Sequence, residues 1–287
     1  YNYKKFFVNQ IKNKSEALKI GRKIILNRIN GKIDPNIGFM KKTSFKKEKK
    51  NIFSNKNNKI KIILFAHCFF DSPHRFRYLI FNDFYDFLTS SVEFVRKNKN
   101  YELYIKPHPY SMKENQKYFN KLKKIYFDVD NIKFIDSNIS NLSIINSKPD
   151  LALTCHGTVA HEMAFFKIPV INAGDNLHTN YDFSLNPKSK KDYFKMIKNI
   201  HLYSKKINFN KSKIYEYIYL NNYYFYNRFQ KKKFAPDKFF FNKKVFEKNK
   251  IDHTNLELLN YYSKFNNKDI KNIKKYVQIF FEKEILC

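Results

Sequence analysis

The sequence predicts an α/β fold in which a doubly wound parallel sheet is followed by a helical C-terminal extension. Three observations carry that expectation. From about Lys59 to residue 200, short apolar runs alternate with stretches whose apolar residues recur at helical spacing. Residues 60–66 are a short apolar run of the kind expected for a buried strand of a parallel sheet. Prolines, and one of only five glycines, punctuate the ends of the runs. A strand–helix–strand rhythm of this length makes right-handed crossovers, and repeated crossovers make a doubly wound sheet.

In order along the chain, residues 1–58 are rich in Lys and Asn and hold one amphipathic stretch, 17–29, expected as a helix. Gly31, Pro35 and Gly38 then mark an irregular connector, and residues 46–59 a polar linker. Residues 60–66 (IKIILFA) are the first strand. Phe84, Phe87, Leu88, Val92 and Val95 trace a helix face, and residues 101–106 (YELYIK) are the second strand, stopped by Pro107 and Pro109. Tyr118, Phe119, Leu122 and Ile125 mark the next helix, residues 132–135 the third strand and 139–146 a short helix. Residues 150–154 are the fourth strand, 158–166 a helix and 169–173 the fifth strand. Near Asp192 the strands stop, and four aromatic, Lys-rich stretches (215–229, 238–247, 256–265 and 270–285) are expected as helices. The expected domains are 1–58, 59–200 and 201–287, with the ligand-binding sheet in the middle.

Charge and composition exclude several classes. Lys and Arg number 56 against 25 Asp and Glu, a net charge of +31, but only six of the cations are Arg. Nucleic-acid binders gather Arg among aromatics on one face. Here Lys is scattered along the chain in the manner of an AT-rich coding bias, so nucleic acid is not expected as a partner. Such a surface attracts anionic membrane and phosphorylated substrates all the same. With 43% hydrophobic and 18% aromatic residues the chain can bury a core, and it holds no apolar run long enough to span a bilayer. Cys68, Cys155 and Cys287 lie far apart without CxxC spacing, which points to a reducing compartment and hence the cytoplasm. The sequence opens on Tyr1-Asn2-Tyr3 with neither Met nor a signal-peptide pattern, and reads as part of a longer chain.

Ligands of open parallel sheets bind beyond the carboxyl ends of the strands, and three loops there carry chemistry. The first runs from His67 to Arg77 and holds His67, Asp71, Ser72, His74, Arg75 and Arg77. It suits an anionic ligand, with Arg75 or Arg77 placed for a bidentate phosphate contact; the alternative is a polar turn that caps the next helix. The spacing of His67 and His74 fits no zinc pattern. The second is Lys106-Pro107-His108-Pro109. Prolines on both sides fix the backbone of His108, which suits a phosphate contact or protonation of a leaving phosphate oxygen. In the third, residues 150–154 run into Cys155-His156-Gly157-Thr158 and a helix begins at once. Gly157 lets backbone approach a ligand, Thr158 is a natural N-cap, and the amides and helix dipole make an anion site. Glu162, four residues on, shares the helix face of Thr158 and would repel a phosphate, so its expected partner is a pair of ribose hydroxyls. Cys155 and His156 as nucleophile and base are disfavoured, because neighbours on extended backbone face opposite ways.

The string from Thr154 to Glu162, followed by Lys167-Ile168-Pro169-Val170-Ile171, resembles the Gly-Thr…Glu signature of bacterial surface-polysaccharide glycosyltransferases. Lys106-Pro107-His108-Pro109 resembles the His-Pro motif of the same group, and the loop from Ala66 to His74 its first loop. The likeness is nearest to the capsule polysaccharide biosynthesis family, which includes the Kdo transferases of capsule assembly. More distant similarity runs to CDP-glycerol glycerophosphotransferases and bacterial polysialyltransferases. It covers about residues 15–200. The resemblance implies a GT-B architecture, of which this sheet would be the Rossmann-like donor-binding half, with an acceptor-binding half supplied elsewhere. It also implies that His108 contacts the donor phosphate, that Gly157 and Thr158 cradle it and that Glu162 holds the ribose, with His67, His74, Arg75, Lys106 and His156 around the donor. The general base of an inverting transfer would lie in the other half, with Asp71 a weak candidate here. Lys167 departs from the family, which often has Gly at that place, and this puts the geometry of the turn in question.

The expected function is therefore glycosyl transfer from a nucleotide sugar, CMP-linked donors included, to a polysaccharide or glycolipid acceptor in capsule or surface-polysaccharide synthesis. No cofactor or metal is expected, since Asp128-Val129-Asp130 reads as a helix cap or turn. Alternatives are a polyol-phosphate transferase or nucleotide-sugar 2-epimerase on the same scaffold, or a non-catalytic module of the polysaccharide machinery. In the last case Tyr223, Tyr224, Phe225 and Tyr226 beside Lys231, Lys232 and Lys233 would meet the anionic inner membrane face.

Overall fold

Five strands, β1 (Ile60–Phe65), β2 (Tyr101–Lys106), β3 (Ile132–Phe134), β4 (Leu151–Thr154) and β5 (Val170–Asn172), pair in parallel in the order β3-β2-β1-β4-β5. The computed structural model describes residues 2–33, 43–47, 50–53, 57–70, 78–109 and 113–225. The chain divides into two compact units, Tyr1–Tyr223 and Tyr224–Cys287, and the sheet with its helices lies in the first. The helices expected over 238–247, 256–265 and 270–285 lie outside the described residues.

Register explains why β1 is apolar at all but one position. Ile62 pairs with Leu103 of β2 and Leu151 of β4, so β1 has a neighbour on each side. Successive side chains then point to opposite faces, both covered. Ile62, Leu64, Leu103, Ile105, Leu151 and Leu153 form one core with α3 (Phe84–Arg96), α4 (Lys113–Ile125) and α7 (Lys190–Lys198). Ile63, Phe65, Tyr104, Ala152 and Val170 form the other with α5 (Asn141–Asn146) and α6 (Val159–Phe165). The doubly wound α/β sheet is thus present, with every expected strand and sheet helix in place and ends shifted by a few residues at most. α3 shows why the pattern works: the Asp83 side chain accepts from the Asp86 amide, Asp86 sits in the first turn, and Arg96 closes the last one.

Strand order also fixes where a ligand can enter. The chain moves outward from β1 through β2 to β3, then returns by way of α5 to β4 on the other side of β1. Helices leaving β1 and β4 therefore go to opposite faces, which opens a crevice between the two strand ends.

The N-terminal region holds two helices where the periodicity showed one, α1 (Tyr3–Gln10) and α2 (Lys14–Ile29). Both are begun by Asn caps, Asn2 and Asn13, whose side chains accept from the Lys5 and Glu16 amides at 3.0 Å. α2 buries Ala17, Gly21 and Ile25 and packs chiefly on α9 (Lys211–Tyr219). α1, α2 and α9, drawn from the segments on either side of the expected sheet domain, belong to the same compact unit as the sheet. α8 (Ile200–Tyr203) is a single turn between α7 and α9.

α6 ends in a Schellman motif. The Ile168 amide donates to the Met163 carbonyl at 3.1 Å and that of Lys167 to the Ala164 carbonyl at 3.0 Å. Lys167 has φ 61°, the left-handed conformation that glycine adopts freely. The turn therefore has the geometry of one with Gly at that position, at a steric cost to the lysine. Lys167→Gly is expected to raise the unfolding free energy by about 1 kcal/mol, measured by urea denaturation. A loss of stability would contradict the strained-lysine account.

Candidate functional site

A cleft of about 260 Å³ opens at the carboxyl ends of β1, β2 and β4. Its walls include His67 after β1, Lys106 and His108 at the end of β2, and His156, Gly157 and Thr158 after β4. Loops that lie some forty to ninety residues apart in sequence meet here because β1 separates β2 from β4 by a single strand.

His67 spans the crevice. Its Nε2 lies 3.3 Å from Thr154 Oγ1 and accepts from the Cys155 and His156 amides at 3.4 and 3.3 Å. An acceptor at Nε2 places the ring proton on Nδ1. The ring stacks on Phe84 with centroids 4.5 Å apart. Burial, reinforced by His156 and His108, lowers its pKa to about 3, so it is neutral at physiological pH. His67 thus fastens the β4–α6 turn to the end of β1. His156 packs on Gly174, where an added Cβ would fall 2.2 Å from the His156 ring.

One buried polar chain runs along the cleft. Lys106 Nζ donates to the Ile139 carbonyl at 2.6 Å and to Asn141 Oδ1 at 2.7 Å. Asn141 Nδ2 donates to Glu162 Oε2 at 3.1 Å. Arg28 Nε donates to Glu162 Oε1 at 2.5 Å, and Arg28 Nη2 approaches Thr158 Oγ1 at 3.5 Å. Burial lowers the Lys106 pKa to about 8 against the raising effect of the Glu162 and Asp136 charges, with Lys46 adding to the drop. A buried carboxylate costs several kcal/mol unless paired; Glu162 is paired on both oxygens and is 1% exposed.

The structure brings together His67, Lys106, His108, His156, Gly157, Thr158 and Glu162 in this cleft. Asp71, His74 and Arg75 lie outside the described residues. One expected capping role changes. The Thr158 side chain makes no capping hydrogen bond, because its backbone is already helical (φ −56°, ψ −23°) and its hydroxyl is turned to Arg28. The Glu162 carboxylate, expected to face ribose hydroxyls, is 1% exposed and accepts from Arg28 on one oxygen and from Asn141 on the other. Gly157 is required by packing as well, for an added Cβ would lie 2.8 Å from Thr154 Oγ1. Sequence reasoning missed Arg28 and Asn141. Arg28 ends an amphipathic helix whose polar face gave no sign of a buried partner, and Asn141 lies inside a short apolar helix.

Elsewhere, His161 and His178 are buried in an aromatic cluster with Tyr217, and burial pushes the pKa of His161 down to about 3. Among the described residues no group of three or more His, Cys, Asp or Glu side chains could hold a metal ion, and no helix is long and apolar enough to cross a membrane.

No protein-family model matches this chain, and no curated protein does. Among solved structures it is similar to the UDP-GlcNAc 2-epimerase of Neisseria meningitidis bound to UDP-GlcNAc, with TM-score 0.40 and 15% identity over 57% of this chain and 43% of that one. It is also similar to Alr3699/HepE of Anabaena in complex with UDP, with TM-score 0.33 and 12% identity over 57% and 44%. For the wall teichoic acid polymerase TagF the TM-score is 0.36 and the identity 13%, over 80% and 50%. The chain spans half or less of the length of each of these proteins. Scores of this size mark a partial likeness of shape, and the α/β assignment rests on the sheet itself.

Proposed function

We propose that this chain is the donor-binding half of a nucleotide-sugar-dependent glycosyltransferase of capsule or surface-polysaccharide synthesis. One observation carries the reading: the two strings that resemble that family, Lys106–Pro109 and Thr154–Glu162, converge on a single cleft at the switch point of the sheet. The cleft gathers the groups a sugar nucleotide's phosphates need. Lys106 and Arg28 supply positive charge, His108 stands in a backbone fixed by two prolines, and the Gly157 and Thr158 amides meet no acceptor among the described residues.

The chemistry would be displacement at the anomeric carbon. The C1–O bond to the phosphate breaks as the acceptor hydroxyl bonds to C1, and the charge left on the nucleotide phosphate is stabilised by groups already in position. His108 is the residue for that contact. His67 is neutral and occupied, so it shapes the site without carrying a proton through the reaction. No metal or cofactor enters this reading, and the acceptor and its activating base would be held by another part of the protein. The basic surface suits work beside the anionic inner face of the membrane.

Calorimetric titration with CMP, CDP, UDP and GDP tests the reading. At least one should bind, and His108→Ala should weaken it by roughly 1.5–3 kcal/mol, the worth of a hydrogen bond to a charged group. A folded chain that binds none of the four overturns it. The preferred base would narrow the donor, with CMP pointing to Kdo or sialic-type sugars.

A further inference from the structure

Glu162 shares the cleft with the expected phosphates, yet a bare carboxylate there would repel them. The geometry removes the conflict. Glu162 is 1% exposed and both its oxygens accept from protein donors, while the Arg28 side chain, at 13%, is the more accessible of the pair. Arg28 is fixed from three directions. Glu162 holds Nε at 2.5 Å, Thr158 Oγ1 lies 3.5 Å from Nη2, and the guanidinium carbon sits 6.0 Å from the centroid of the buried Phe45 ring. Phe45 is in turn set by its neighbours, since the Asn141 amide donates to the Ser44 carbonyl at 2.8 Å and the Lys46 amide to Ser140 Oγ at 2.9 Å. Three separate segments therefore position one planar fork of donors at the cleft wall, the group best shaped for phosphate oxygens.

We infer that Arg28, carried by α2 and not by the sheet, meets the phosphoryl oxygens of the ligand alongside His108, and that Glu162 is a positioning residue that acts only through it. This deepens the donor-site reading and rests on it. The ligand class is a phosphoanhydride or phosphate ester, and Glu162 contributes no contact to a sugar or ribose hydroxyl.

Inorganic pyrophosphate separates this from a ribose-binding Glu162, because it has no ribose. Titrated into the full chain, Arg28→Gln should lower pyrophosphate affinity at least tenfold. Glu162→Gln should lower it several-fold when Arg28 is present and cause no further loss in Arg28→Gln. The double variant carries neither charge, so no buried carboxylate is stranded and folding is retained even if Arg28→Gln alone proves unstable. Arg28→Lys, which keeps the charge but not the fork, should fall between wild type and Arg28→Gln. Wild-type affinity in Arg28→Gln overturns the inference, as does unchanged or tighter binding in Glu162→Gln, the result expected when an unneeded negative charge is removed. Pyrophosphate binding with these losses but silence towards all four nucleotides would sink the glycosyltransferase reading and leave Arg28 standing. Nucleotide binding without pyrophosphate binding would sink the inference alone, and a folded wild type that binds neither overturns both.

Discussion

Glu102→Gln is expected to lower the unfolding free energy by about 3–5 kcal/mol, the range for stranding one member of a buried ion pair. Lys61 and Glu102 are direct register partners on β1 and β2, 8% and 3% exposed. Lys61 Nζ lies 2.5 Å from Glu102 Oε2, Asn57 donates to Oε1 at 2.7 Å and the Tyr104 hydroxyl to Oε2 at 3.0 Å. Glutamine keeps the shape but leaves the Lys61 charge in the sheet without its counter-ion. A double change to Lys61→Met and Glu102→Leu should cost far less, because it removes both desolvation penalties together.

The effect has a definite pH course. Burial alone would raise the Glu102 pKa, but hydrogen bonds from Lys61, Asn57 and Tyr104 and the Lys61 charge outweigh it and hold the group below its ordinary 4.5. The unfolded chain then binds the proton first as pH falls, so the contribution is fully present above about 4.5 and is lost as pH drops through the folded value. Urea unfolding of wild type and Glu102→Gln should differ most at pH 7 and converge as the pH falls below 4.5 and through the folded value. The buried histidines add a separate slope. His161, lowered from 6.5 to about 3 by burial, makes both proteins less stable as pH falls across that interval. It cancels in the difference. A gap under about 1 kcal/mol at pH 7 would mean that the pair is hydrated and worth no more than a surface bridge.

The second large effect is at Gly21. On most helices Gly→Ala gains up to about 1 kcal/mol of propensity. Here a Cβ would lie 2.0 Å from the Tyr215 carbonyl oxygen and 2.8 Å from its carbon, both backbone atoms of α9. Neither can rotate away, so the two helices must separate. Gly21→Ala should destabilise by about 3 kcal/mol, the upper part of the overpacking range, and should also weaken pyrophosphate binding. Gly21 makes no contact with the cleft, but Arg28 lies two turns further along the same helix, and a shifted α2 carries the guanidinium with it. Wild-type stability in this variant would show that α2 and α9 do not approach so closely.

How much of this could be read from the residues differs by element. The strands were legible because burial leaves short runs dominated by apolar residues, broken only by Lys61, Glu102, Lys106 and Lys133, and α3 because Phe84, Phe87, Leu88, Val92 and Val95 keep one face. The β2 and β4 loops were legible because Pro107, Pro109 and Gly157 have strong local causes. α1 was not, since its start depends on one Asn2 cap and its buried residues are only Tyr3 and Phe7. The Arg28 contact of Glu162 was not legible for a physical reason: the two residues are 134 apart, and no local pattern states what a distant helix end will bring. Lys167 stands where glycine is usual, but only the backbone shows that the turn is kept with the lysine in a left-handed conformation.

The clasp between α2 and α9 also orders events in time. On the ribosome α2 emerges early, but the helix that covers its Ala17, Gly21 and Ile25 stripe is completed only some 190 residues later. At about 5–20 residues per second this is a wait of roughly 10–40 s. β1 to β5 and their helices are all synthesised within that interval and can pair by shorter crossovers. The sheet is therefore expected to mature before its N-terminal helices dock, with Arg28 reaching Glu162 last. On that order, newly made chains would pass through a stage with an intact strand framework and an unfinished cleft, which closes when α9 arrives.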